Sequence, residues 1–464
     1  MDSITKLRGK LHEAEELLQY VSKELEEYSK DNGEQTQLNF AELKLRGEQY
    51  AFYEHPMKNQ IFQDEYFTLL LSAISLGGKK EEGWTILYRV AAACDYQGNL
   101  QELITGAMTM TEERITEIIR MIYQAQLAKT FAIDSLLICH HMGADDAQIK
   151  YLAGLYELMK VDKNFLSEAM QFVKVIDSTL WENLATKSKA WKYLTANDIA
   201  TYMGGYPATS LEEAAMLNYN RIIISGITYT NKDVLELDNW KASEILFLNC
   251  KFENCGGIYS SNKNLKFISC LFNGNIRRYD AFKRWTDVKY KKYRGFLHII
   301  KVELLNCLFK NFWDCNVPMI YLNNGLINSC IFENCRRFGT TNMLLQVNNT
   351  EITKTKFLSC ESSSLYTCMI YSSNCRLNEN EFLNCTCKYY DDKYWGCLIL
   401  LDNSSYCINC KFIDITFSVD FGYSNTHHSI IGLRKNSEEN NNGDISTMNI
   451  KNLPEDFFNI DWKI

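Results

Sequence analysis

The sequence predicts an α+β multidomain chain, an all-α N-terminal half followed by a right-handed parallel β-helix. Three observations carry the prediction. Through the first 200 positions apolar residues recur at three- and four-residue steps. Near position 220 that period gives way to short apolar runs broken by Asn, Ser and Gly. Beyond it one phrase, built on Asn or Ser, Cys and Phe, returns seven times.

Length and composition bound the rest. The 464 residues suffice for two or three domains that each bury a full core. The expected organisation is an N-terminal amphipathic helix and connection over 1–60, a helical domain over 61–200, and a capping helix or linker over 201–220. The β-helix follows over 221–435, with an insertion at 275–295, and 436–464 form a flexible loop and a C-terminal cap. Only four prolines occur, which argues against a long disordered linker. The net charge of -8 excludes a general polyanion binder, so any nucleic-acid contact has to be local. No apolar signal segment follows Met1-Asp2-Ser3-Ile4, and no run approaches the roughly 20 apolar residues of a membrane span. The seventeen cysteines are odd in number, and fifteen lie after position 249 in a repeating pattern. We therefore expect reduced thiols, a cytoplasmic location and no membrane contact.

In the first half, Leu7, Leu11, Ala14, Leu17, Leu18, Val21 and Leu25 mark an amphipathic helix. It packs on its own domain or on a second copy, so a homo-oligomer stays open. Residues 30–56 read as a connection. Leu69, Leu70, Leu71, Ala73, Ile74 and Leu76 form one apolar stretch, broken by Gly77-Gly78-Lys79-Lys80-Glu81-Glu82 before Trp84, Ile86, Leu87 and Val90. Further on, Phe131-Ala132-Ile133-Asp134-Ser135-Leu136-Leu137-Ile138 leads to His140-His141-Met142-Gly143-Ala144-Asp145-Asp146, and then to Phe165-Leu166 and Phe172-Val173-Lys174-Val175-Ile176.

This layout resembles the TerB-like (tellurite-resistance B-like) helical domain over residues 65–176, best over 127–175. The resemblance implies two similar halves, each an apolar helix, a short acidic turn and a second helix, with turn carboxylates that hold a metal ion. It further implies a bacterial stress-response or anti-phage role beside partners such as an ATPase or helicase. At the corresponding places this chain carries His141, Met142 and Gln148, and only Asp145 and Asp146 are acidic. A hard cation wants several converging carboxylates. Asp145 and Asp146 are therefore weak metal candidates, and both suit a helix N-terminus. No cofactor is expected.

The second half is read from its repeats. Phe247-Leu248-Asn249-Cys250-Lys251-Phe252-Glu253-Asn254-Cys255 is the first full phrase, and variants of it return with Phe272, Phe309, Phe332, Phe357, Phe382 and Phe412. The steps between these phenylalanines are 20, 37, 23, 25, 25 and 30 residues. A second phrase precedes most of them, as in Met319-Ile320-Tyr321-Leu322-Asn323-Asn324 and Met343-Leu344-Leu345-Gln346-Val347-Asn348. Each repeat is thus two short strands and two turns. Such a unit cannot bury its apolar face alone, and stacking makes a continuous core. The phenylalanines stack inward. Cys250, Cys270, Cys307 and Cys330 form a second inward column, and Cys255, Cys335, Cys360 and Cys385 a third, past a bend at the preceding Asn or Ser. Helix 211–218 caps one end.

Candidate chemistry is sparse. Cys407-Ile408-Asn409-Cys410 has the CxxC form, but residues three apart on a strand face opposite sides. His140-His141 and His427-His428 are neighbours that diverge. No phosphate-binding, serine-hydrolase or zinc-protease motif occurs in its proper context. The 37-residue step holds the anomaly. Arg277, Arg278, Lys283, Arg284, Lys289, Lys291, Lys292 and Arg294 are interleaved with Tyr279, Phe282, Trp285, Tyr290 and Tyr293. This pattern fits a protein partner, nucleic acid through phosphate and stacking contacts, or an internal contact. The function expected is a non-enzymatic interaction or scaffold protein that binds a partner protein. Nucleic-acid binding through the insertion, and a β-helix polysaccharide lyase or hydrolase, are the alternatives.

Overall fold

The computed structural model describes residues 39–49, 52–53, 55–75, 81–176, 191–232, 234–274, 296–315, 318–339, 343–364, 368–389, 396–402, 404–419, 428–433 and 449–450. The chain divides into two compact units, one of residues 1–188 and 192–204 and one of residues 189–191 and 205–464. The expected N-terminal helix, the acidic turn at 77–80 and the C-terminal cap lie outside the described residues.

The described part of the first unit is all-helical. It holds α1 (Phe40–Gln49), α2 (Gln63–Ser75), α3 (Glu81–Ala93), α4 (Leu100–Met108), α5 (Glu112–Gln124), α6 (Ala128–Met142), α7 (Asp146–Leu158), α8 (Lys163–Ile176) and α9 (Ala196–Met203). Their ends follow local chemistry. Asn99, Thr111 and Asp145 cap α4, α5 and α7 through side-chain oxygens, and Gly143 ends α6 at a left-handed φ of 67°. α6 is apolar around most of its circumference, as a helix packed on several neighbours must be. It buries Phe131, Ala132, Ile133, Leu137 and Ile138 against α2, α3 and α8.

The second unit is a large parallel-strand region. Its strands form sheets of fourteen, nine and five strands. Repeat after repeat adds one strand to each sheet in the same register. In the nine-stranded sheet Phe252, Phe272, Phe309, Phe332, Phe357, Phe382 and Phe412 occupy one row. Their rings stack with centroids between 4.5 and 5.1 Å apart and planes within 12° of parallel. The spacing is that of hydrogen-bonded strands, so identical side chains at one register position are brought face to face. The second phrase supplies the row Ile320, Leu345, Ile370 and Ile399 of the fourteen-stranded sheet. A single core cluster runs from Ala208 to Phe412.

The Asn-Cys and Ser-Cys pairs are corners. Asn249, Ser269, Asn306, Ser329, Asn334, Ser359, Asn384 and Asn409 all have φ between 50° and 54°. Asn tolerates this left-handed region better than most residues. The residue after each corner turns inward. Cys270, Cys307 and Cys330 donate to the carbonyls of Phe247, Phe267 and Leu304 in the preceding repeat at 3.4, 3.3 and 3.3 Å. Cys335, Cys360 and Cys385 do the same to Phe309, Phe332 and Phe357. Thr355 and Asn380 take the same place in later repeats, and Asn380 donates to the Ile352 carbonyl at 2.9 Å. Small size and a buried donor are what Cys, Thr and Asn share. Cys330→Val is therefore expected to cost about 1–3 kcal/mol, the penalty of stranding a buried carbonyl, whereas Cys330→Thr keeps most of the stability. Urea unfolding of the two variants checks this.

Several expectations are corrected. Repeats carry a third strand, such as Arg336–Gly339, Glu361–Ser364 and Thr386–Tyr389, joined in the five-stranded sheet. These segments lack apolar alternation, so periodicity does not reveal them. Within 201–220, read as helix or linker, Tyr206–Ala208 is a strand paired with Arg221–Ser225. The capping helix is shorter than expected, α10 (Leu211–Met216). The CxxC cysteines do not face apart. Asn409, at φ 54°, bends the chain so that both Cys407 and Cys410 are buried with their thiols in contact.

Candidate partner-binding edge

The basic insertion, with Arg277, Arg278, Lys283, Arg284, Trp285, Lys289, Tyr290, Lys291, Lys292 and Arg294, lies outside the described residues. His427 and the loop at 436–443 do too. Asp145 and Asp146 are described and exposed. Asp145 accepts from the Gln148 backbone N–H at 2.8 Å, and the Gln148 side chain accepts from the Asp145 N–H at 2.8 Å, closing a capping box. The Gln148 amide also donates to the Ala73 carbonyl at 3.2 Å, tying α7 to α2. The residue that replaces a family carboxylate is thus spent on packing. Among the described residues no group of three or more His, Cys, Asp or Glu is placed to hold a metal ion.

The first unit holds a buried polar cluster that the sequence does not announce. Asp134 of α6, fully buried, accepts from the hydroxyls of Tyr66 on α2 at 2.5 Å and Tyr202 on α9 at 2.6 Å. His55 Nε2 lies 3.1 Å from its Oδ2. The Met57 N–H donates to His55 Nδ1 at 3.2 Å, so Nδ1 carries the lone pair and Nε2 the proton that faces Asp134. The Cys94 thiol, 3.2 Å from Nδ1, completes the chain. Cys, His and Asp in contact are the parts of a cysteine nucleophile, but here they are not armed. Burial, then the Asp134 and Asp95 carboxylates, push the Cys94 thiol up, away from the reactive thiolate. Cys94 and Asp134 have no exposed surface for a substrate to reach. The cluster is a tie between helices.

Its tyrosines give a pH signature. Burial, then the Asp134 charge, raise Tyr66 and Tyr202 well above the ordinary 10.0. A folded pKa above the unfolded one means stability that is complete below pH 10.0 and is lost as pH climbs from there. Helical circular dichroism is expected to hold at neutral pH and fall in strong alkali. Tyr202→Phe should move that loss to higher pH.

The second unit ends in an accessible groove. The strand Thr228–Thr230 is the last of the nine-stranded sheet and pairs on one side only, with Lys251–Glu253. The Ile227 carbonyl accepts from the Lys251 N–H at 2.8 Å, and the Asn231 N–H donates to the Glu253 carbonyl at 3.0 Å. Backbone groups alternate in direction along a parallel ladder. The N–H and C=O of Thr228 and Thr230 therefore point away from the sheet. They face a cavity of about 710 Å³. Leu211, Glu212 and Ala215 of α10 form its opposite wall, and Tyr229, Lys232 and Trp240 also line it. Tyr229 shares the register of the phenylalanine row, but its ring sits 6.3 Å from Phe252 at 58°, so flush stacking stops there. The sequence signal for this edge was Tyr229, 23 residues before Phe252, a tyrosine where the phrase has phenylalanine.

No protein-family model and no curated protein matches this chain. Its function is therefore argued from the edge and the cluster alone. Among the described residues no helix is long and apolar enough to cross a membrane. Every described cysteine is a free, buried thiol.

Proposed function

We propose that this chain is a non-enzymatic interaction protein that binds a partner protein through its strand unit. The observation that carries the reading is the open edge at Thr228–Thr230 with its groove. On this reading the strand unit is a right-handed parallel β-helix, a rigid rod whose stacked phenylalanines and carbonyl-bonded thiols leave the outer surface free for contacts. Three parallel sheets that gain a strand with each repeat support it. The helical unit, with its resemblance to the TerB-like domain, serves as a docking domain in a bacterial stress or anti-phage response, beside a partner such as an ATPase or helicase. The free thiols fit a cytoplasmic setting. The basic insertion is a second contact. Its interleaved basic and aromatic residues favour nucleic acid as the other ligand class, with binding that weakens steeply as salt rises.

The test is a pull-down of tagged full-length protein from its native cells, with proteomics and an absorbance ratio for nucleic acid. A protein captured by the wild type and lost on deleting 277–294, or on Thr228→Pro with Thr230→Pro, supports the reading. Clean protein with nothing attached contradicts it.

A further inference from the structure

We propose that the partner docks at this edge as an extended strand parallel to Thr228–Thr230, with an aromatic side chain over Tyr229 and an acidic residue near Lys232. The inference rests on the partner-binding reading above and names the chemistry of what binds.

Three features select that occupant. The outward N–H and C=O groups of Thr228 and Thr230 form half of a parallel ladder. An extended chain supplies the other half, whereas a helix has already spent its backbone groups on itself. The register then fixes the central side chain. The residue of an added strand that lies opposite Tyr229 falls one strand spacing beyond it, where every inner strand of this sheet carries Phe. Tyr229 is half-buried and Trp240 closes the groove beside it, so an aromatic ring finds apolar surface on two sides. Charge sets the direction. Lys232 is exposed just past the C-terminal end of the edge strand, and Glu212 is exposed on the α10 wall. A parallel peptide places residues that follow its aromatic near Lys232, so an acid there gains a partner, and a base facing Glu212 does likewise.

The edge also resists non-specific pairing. It is three residues long and flanked by Gly226 at φ 69° and Asn231 at φ 53°, so a long flat strand cannot add along it. A short segment with the right central ring can.

The experiment pans a displayed library of short random peptides against the full-length protein, with the Thr228→Pro/Thr230→Pro variant as the counter-selection. These prolines remove only outward N–H groups and spare the ladder to Lys251–Glu253, so folding should survive. An unchanged melting temperature verifies it. Expected are peptides sharing an aromatic residue followed by an acid, with binding weakened about tenfold or more by the prolines. Lys232→Glu should turn the preference from acidic to basic, and this second readout stands even if the proline variant fails to fold. Peptides without a shared aromatic, binding indifferent to the prolines, a charge preference indifferent to Lys232→Glu, or no selected peptides at all would overturn the proposal. If native-cell pull-down still captures a partner in those cases, partner binding stands and the strand mode alone is wrong. If it captures none, the partner-binding reading has itself failed.

Discussion

Phe332→Ala is expected to destabilise the strand unit by about 3–5 kcal/mol, the range for emptying a large aromatic site in a core. Phe332 is fully buried between Phe309 and Phe357, with ring centroids 4.7 and 4.9 Å away and planes 7° and 6° from parallel. Removing it uncovers two ring faces at once, and the strand spacing holds the neighbours too far apart to close the gap. Phe332→Leu refills part of the volume and should cost less. Tyr229→Phe, at the end of the row and half-buried, should cost little. Urea unfolding followed by hydrogen exchange in the strand unit gives the ranking. Equal losses at the middle and end of the row would mean that the stack does not bear on stability.

Asp134→Ala should have a comparable effect on the helical unit, on the order of 3–5 kcal/mol, because it strands buried partners rather than removing surface. Tyr66, Tyr202 and His55 all direct hydrogens at this carboxylate, and none of them has another acceptor in reach through the same atom among the described contacts. Asp134→Asn keeps the shape and one acceptor oxygen, so a smaller loss is expected. Tyr66→Phe and Tyr202→Phe each remove one donor and should cost about 1 kcal/mol apiece. Thermal unfolding by far-ultraviolet circular dichroism measures these. An Asp134→Ala variant as stable as the wild type would show that the cluster is not a tie.

The sequence made the periodic features plain and hid the rest for physical reasons. The phenylalanine row and the Asn-Cys and Ser-Cys corners recur, and recurrence at 20–30 residues is visible without coordinates. The corner chemistry was half legible. The bend at Asn or Ser was expected, but the thiol-to-carbonyl bonds depend on the preceding repeat and emerge only in three dimensions. The third strands, such as Glu361–Ser364, have no hydrophobic alternation and owe their conformation to parallel neighbours. At Cys407 and Cys410, the strand argument ignored the left-handed Asn409 that this chain places at every such corner. The Asp134 cluster joins residues 68 and 79 positions apart, beyond any local pattern. Its one visible sign was an acid inside the apolar run Phe131–Ile138. The edge at Thr228–Thr230 escaped because its tyrosine departs from the phrase, and because an unpaired edge is a property of strand order rather than of composition.

Hydrogen exchange on the full-length protein, alone and with its captured partner, tests the central claim most directly. Without partner, the amides of Thr228 and Thr230 should exchange quickly while that of Tyr229 is protected by the strand Lys251–Glu253. With partner, exchange should slow across 209–232. A bound partner that leaves 209–232 unchanged, and protects other segments instead, would contradict the account.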